Sequence, residues 1–151
     1  MAGAGRRGAV IGKDVHDYFE CVGGLPLFRG LTRREAQIVG RNATKVRLPP
    51  GTVLCNEDDR GRSFLVIVDG SAVVSRAGKP LACLDRGGSF GELALLDPGP
   101  SGATVTAIDA LDVLVVGPRE FDTLVEGVPR FAHNLLRHMA CRLRKSEELA
   151  G

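Results

Sequence analysis

From Lys45 onward the apolar residues arrive in short bursts: Val46 and Leu48, Val53 and Leu54, Phe64 to Val68, Val73 and Val74, then Leu81, Cys83 and Leu84. Turn-forming residues close each burst, in order Pro49-Pro50-Gly51, Asp69-Gly70, Ala77-Gly78-Lys79-Pro80 and Gly87-Gly88. Runs this short cannot bury a helical stripe. Spaced so regularly, they predict an antiparallel all-β sandwich or roll. Asp69-Gly70 predicts a hairpin or tight turn, because glycine accepts the positive φ that such turns require. Two further strands are expected at Thr104 to Ile108 and Val113 to Val116.

The ends of the chain carry a different period. Residues 1–12 are rich in Gly, Ala and Arg and read as a disordered tail, with one folded domain over residues 13–151. A short helix is expected from about Asp14 to Cys21, broken by Gly23-Gly24. Thr32 with Glu35 three residues on has the form of a capping box, with Leu31 and Ala36 as its staple. That helix is expected to stop at Gly40. After Gly117, Pro118 suits the first turn of a helix holding Phe121, Leu124 and Val125 on one face and ending at Gly127. Pro129 opens a last helix, whose apolar stripe is Phe131, Leu135, Leu136, Met139, Leu143 and Leu149, with arginines on its other side. The fold class expected is mainly β with flanking helices: an antiparallel β-roll of the jelly-roll or double-stranded β-helix kind, N-terminal helices and a C-terminal lid helix.

Composition limits the function classes. Aromatics are 5% of the 151 residues and Trp is absent, so an aliphatic core is expected. A net charge of +2 is too weak to argue for nucleic acid by itself. Arg6 and Arg7 at one end, and Arg137, Arg142, Arg144 and Lys145 at the other, read as solvated termini. Cys21, Cys55, Cys83 and Cys141 are scattered, without a C-x-x-C pair or a nearby histidine at metal spacing. With no secretory h-region over Met1 to Gly12, they are expected to be free thiols in reducing cytoplasm. A cupin-type metalloenzyme needs histidines inside its roll, and none lies between Asp17 and Ala132. No Gly-x-Ser-x-Gly elbow or Gly-Lys-Ser/Thr loop is present either, so no catalysis is expected. His16 is expected at the surface, His133 and His138 at the surface or in lid packing, and Cys141 is expected to be inert.

One stretch carries chemistry. Residues 90–104 read Phe-Gly-Glu-Leu-Ala-Leu-Leu-Asp-Pro-Gly-Pro-Ser-Gly-Ala-Thr. Gly91 permits positive φ or close backbone approach. Glu92 to Leu96 can form one helical turn whose first amides suit an anion, while the Glu92 carboxylate accepts from a hydroxyl. An anion beside a hydroxyl describes a ribose phosphate. A bland surface turn fits the same residues.

Phe90-Gly91-Glu92-Leu93-Ala94-Leu95-Leu96, followed after a Pro/Gly loop by Ala103-Thr104, resembles the phosphate-binding cassette of cyclic-nucleotide-binding domains. That family includes catabolite-activator-type regulators, regulatory subunits of cyclic-AMP-dependent kinase and cyclic-nucleotide-gated channels. The similarity extends over about Val15 to Glu148. Leu25 to Leu31 resembles the family's lead-in, Leu48 to Leu54 its first hairpin, and Ser63 to Gly70 its next strand and turn. The resemblance implies that Glu92 binds the ribose 2′-hydroxyl and that amides around Leu93 and Ala94 meet the cyclic phosphate, with Gly91 leading the ligand-binding turn. It implies further contacts from Ser101, Gly102 and Ala103, with Thr104 closing the cassette, and it makes the helix from Pro129 to Ala150 a lid over the base. The ligand implied is cyclic AMP or a related cyclic nucleotide; no cofactor or metal is implied.

The chain departs from the pattern at Ser101, where the family carries the arginine that pairs with the phosphate. Truncating one partner of a buried charge pair costs about 2–5 kcal/mol, an order of magnitude or more in affinity. Asp58 stands where glycine is usual and Arg62 where an acidic residue is common. Arg62 or Arg86 could replace the missing cation, or the ligand could be neutral or differently charged. Two readings follow. One is a sensor with a weakened pocket, acting through a homodimer on its last helix or through a separate effector. The other is a degenerate domain serving as a protein-interaction module. Neither predicts direct DNA binding or a membrane. The chain, ending at Gly151, leaves no room for a helix-turn-helix, kinase, channel or acyltransferase domain, and is expected to be either whole or a fragment.

Overall fold

The computed structural model describes residues 24–58 and 63–150, with side chains as far as residue 148. The expected tail, the helix at Asp14 to Cys21, His16, Cys21, Arg62 and the side chain of Leu149 fall outside the described residues.

Among the described residues, eight strands form two antiparallel four-stranded sheets. They are β1 (Thr44–Leu48), β2 (Val53–Cys55), β3 (Phe64–Asp69), β4 (Ala72–Arg76), β5 (Lys79–Leu84), β6 (Ser89–Phe90), β7 (Thr104–Ala107) and β8 (Leu111–Val116). One sheet runs β1-β8-β3-β6 and the other β2-β7-β4-β5. A 3-10 turn at Pro26–Phe28 and helix α1 (Arg33–Asn42) precede the roll. The five-residue helix α2 (Glu92–Leu96) interrupts it, and α3 (Pro118–Gly127) and α4 (Pro129–Ala150) follow it. The β-roll with flanking helices is therefore the architecture of the chain.

The strand β3 is apolar throughout because both its faces are covered. Phe64, Val66 and Val68 face the helices, packing with Leu114, Val116, Phe121, Leu124 and Phe131. Leu65 and Ile67 face the roll interior with Val46, Leu48, Phe90, Val105 and Val113. One strand thus walls two cores. The roll interior is mostly aliphatic, as composition suggested. The helical layer is not: Phe28, Phe64, Phe121 and Phe131 meet ring to ring at centroid separations of 5.2–6.3 Å. The few aromatics are concentrated where helices cross the sheet, since large rings fill the wedge between a cylinder and a plane.

Several local readings are refined. Thr32 and Glu35 form the reciprocal capping box, at 3.1 and 2.8 Å. The helix passes through Gly40 and ends at Asn42, whose side-chain amide donates to the Ile38 carbonyl at 2.8 Å. Glycine in a helix costs only about 1 kcal/mol relative to alanine, too little to stop one that packs Ala36 and Val39. Asp69-Gly70 is a tight turn but not a hairpin, because β3 and β4 lie in different sheets. The hairpin is at Ala77-Gly78, both at positive φ (52° and 79°), with Arg76 facing Lys79 across it. The short strand β6 was not anticipated, since two residues carry no period.

Candidate functional site

The cassette turn starts with a steric constraint. Gly91 has φ 103°, and a Cβ there would lie 2.3 Å from the Ser63 carbonyl oxygen. Only glycine fits. That close approach pulls Glu92 under the turn, where it is 1% exposed. A buried carboxylate requires donors. One of its oxygens, Oε2, is held by the guanidinium of Arg142 from α4. The other, Oε1, is buried and has no partner among the described residues. A hydroxyl placed there would find a desolvated acceptor already aimed at it.

The helix α4 supplies the rest of that wall. Phe131 and Leu135 are buried, and His138 and Arg142 continue the same face at the spacing of helical turns. His138 Nε2 lies 3.2 Å from the buried Ser89 hydroxyl on β6. Burial holds the imidazole pKa below its ordinary value of 6.5; Arg142 adds to this and Glu92 opposes it. Arg142, expected among the solvated arginines of the terminus, has a side chain 48% exposed and also reaches the buried Glu92 carboxylate, a contact the sequence did not announce. It was missed because charge runs usually face water. The phase of Arg142 with Phe131, Leu135 and His138 was the available signal. The expected apolar stripe also divides: Leu136 and Leu143 are 65% and 62% exposed, turned away from the roll.

At the far end of the cassette, the Ser101 hydroxyl lies 2.6 Å from the Asn56 carbonyl and 2.8 Å from that of Ala103. Its single proton serves the chain's own backbone. Gly102, at φ 81°, donates its amide to the Glu57 carbonyl at 3.2 Å and accepts from Arg76 Nε at 2.8 Å. Thr104 begins β7 and its hydroxyl bonds Glu57 through both backbone amide and carboxylate. Leu93 is exposed and Ala94 buried on the turn. The cassette residues form one continuous segment whose two ends are tied to α4 and to the β2–β3 region respectively. Of the replacement cations suggested by sequence, Arg86 donates to the Val68 carbonyl at 3.0 Å and is engaged there. Cys55, Cys83 and Cys141 are free thiols, and no cluster of metal-ligating side chains occurs among the described residues.

The site is thus a glycine-led turn that buries a carboxylate beneath a terminal helix, on a two-sheet roll. The model of the cyclic nucleotide-binding domain matches residues 45–127, and the chain belongs to that family. The cyclic AMP receptor protein of Thermus thermophilus is 29% identical over 129 residues, 82% of this chain and 60% of that protein. A cAMP-dependent protein kinase regulatory subunit from Pyricularia oryzae is 32% identical over 103 residues, 67% of this chain and 26% of that protein. The crystal structure of the catabolite activator protein of Thermus thermophilus superposes with a TM-score of 0.75 at 28% identity, covering 83% of this chain and 61% of that one. The chain spans less than two-thirds of the length of these relatives.

Proposed function

We propose that the chain is a regulatory domain that binds a cyclic nucleotide of the cyclic AMP type, with affinity reduced by serine at position 101. The observation that carries this reading is Glu92: almost fully buried, with one carboxylate oxygen lacking any donor among the described residues. The ribose 2′-hydroxyl of a cyclic nucleotide would satisfy it. Gly91, Leu93 and Ala94 would present backbone to the phosphate, with Ser101, Gly102, Ala103 and Thr104 forming the outer edge of the same cassette. The chain's part is recognition and not catalysis, with no metal or cofactor in its action. It acts as one domain over residues 13–151 behind a tail at residues 1–12, in the cytoplasm. None of the described helices is long and apolar enough to cross a membrane.

Output passes through α4. Leu136 and Leu143 lie seven residues apart on its outer side and are exposed, which suits a homodimer or a separate effector protein. Direct DNA binding is not part of this reading.

Calorimetry with cyclic AMP and cyclic GMP tests it, on the unsubstituted chain, Glu92→Ala and Ser101→Arg. Binding by the first, loss in Glu92→Ala and gain in Ser101→Arg are expected. No heat and no thermal shift at millimolar nucleotide in any of the three rejects it.

A second reading has its own support. Arg142 already occupies one oxygen of Glu92, and the Ser101 hydroxyl is spent on backbone carbonyls. A domain that has dropped its ligand and works as an interaction module fits these two contacts. It predicts that Ser101→Arg gains nothing.

A further inference from the structure

We infer that Arg76, on strand β4, supplies the cation that the cassette lacks at Ser101, so that the site selects an anionic ligand; this rests on the nucleotide-binding reading above. Strand β4 pairs regularly with β7 from Ala72↔Ala107 to Ser75↔Thr104. The bulge in its other pairing puts the extra residue, Leu81, on β5 and leaves the alternation of β4 intact. Ala72 and Val74 face the roll interior, where they pack with Val105 and Ala107. By that alternation Arg76 belongs to the interior face, at the rim where the cassette ends.

Its position is fixed by the cassette itself. Arg76 Nε donates to the Gly102 carbonyl at 2.8 Å, on the residue that follows Ser101. The terminal nitrogens of the guanidinium have no partner among the described residues, which leaves its fork free for a phosphate. Glu57, whose carbonyl accepts from the Gly102 amide, has its carboxylate occupied by the Ala77 amide and the Thr104 hydroxyl. Thr104 pairs with Ser75, on the face opposite to Val74 and Arg76.

The pairing across the hairpin points the same way. Arg76 lies directly opposite Lys79, and both are exposed. Like charges placed opposite each other destabilise a sheet pair. Two cations at the rim of a site whose own arginine is absent are accounted for by an anion bound between them and the cassette. Among the described residues, Arg86 is held at Val68 and Arg142 at Glu92, while Arg62 lies outside them.

The test is calorimetric titration of cyclic AMP and of adenosine, which keeps base and ribose but has no phosphate. Arg76→Ala should weaken cyclic AMP by about tenfold or more and leave adenosine unchanged. Adding Ser101→Arg to Arg76→Ala should restore the loss, because the cation returns to the same loop. The melting temperature of unliganded Arg76→Ala should not fall appreciably, since the side chain is exposed and its loss relieves the repulsion from Lys79 that offsets the lost bond to Gly102. Cyclic AMP binding that Arg76→Ala leaves within about twofold overturns the inference alone. Equal losses for cyclic AMP and adenosine also overturn it, as does binding seen only after Ser101→Arg. Absence of cyclic AMP binding by both the parent and Ser101→Arg removes the nucleotide reading, and this inference with it.

Discussion

Gly91 and Glu92 act as a pair. The positive φ of the first, against the Ser63 carbonyl, is what places the second out of water. Gly91→Ala should therefore destabilise the fold by at least about 1–3 kcal/mol, through strain and the clash together. Urea denaturation measures it, and an unchanged midpoint would contradict the close approach. His138 gives a pH signature. Its folded pKa is lowered, chiefly by burial and then by Arg142, against the pull of Glu92. The unfolded chain therefore takes up that proton first on acidification. The contribution is complete above about pH 6.5 and is lost as pH falls from there towards the lowered folded value. Melting temperatures of His138→Gln should fall less steeply than those of the parent in that window; parallel curves would place the imidazole in water. The glycine and the acid were legible in residues 90–104, Gly91 as a position for positive φ or close backbone approach; the burial of Glu92 was not. The contact of Arg142 with Glu92 was not, nor the partner of His138 within the expected lid packing, because a charged or titratable residue on a terminal helix looks the same in sequence whether it meets solvent or a buried polar group.

Among the elements, α4 has two faces with different duties. Leu135 is 3% exposed and belongs to the same buried cluster as Phe28 and Val68, whereas Leu136 and Leu143 are largely exposed. Leu135→Ala should cost about 2–5 kcal/mol. The double change Leu136→Ser and Leu143→Ser should leave the monomer within about 1 kcal/mol of the parent while lowering the sedimenting mass if the chain self-associates. A large stability loss in the double variant would mean that its outer face is covered within one chain. The capping box of α1, the proline starts of α3 and α4 and most strand positions were readable because each is a local rule. The division of strands between two sheets was not. Asp69-Gly70 looks like a hairpin turn from sequence, and only the pairing of β8 with both β1 and β3 shows that the chain crosses over.

On the scale of the whole molecule, two cores share a single wall. Phe64, Val66 and Val68 belong to the helical layer, and Leu65 and Ile67 to the roll interior. Melting either core strips one side of β3 and leaves the other side unsupported. Unfolding should therefore be a single event, with no state in which the roll persists without its helices. Deuterium uptake followed by mass spectrometry provides the measurement: peptides spanning β3 and β8 should exchange last and together, at the rate set by global opening, while the cassette and the end of α4 exchange earlier. Independent protection of the strands and the helices would indicate two cooperative units. A strand shared in this way also means that an event at Phe90 is registered by Leu65 on one side and, through the same five residues of backbone, by the phenylalanine cluster on the other.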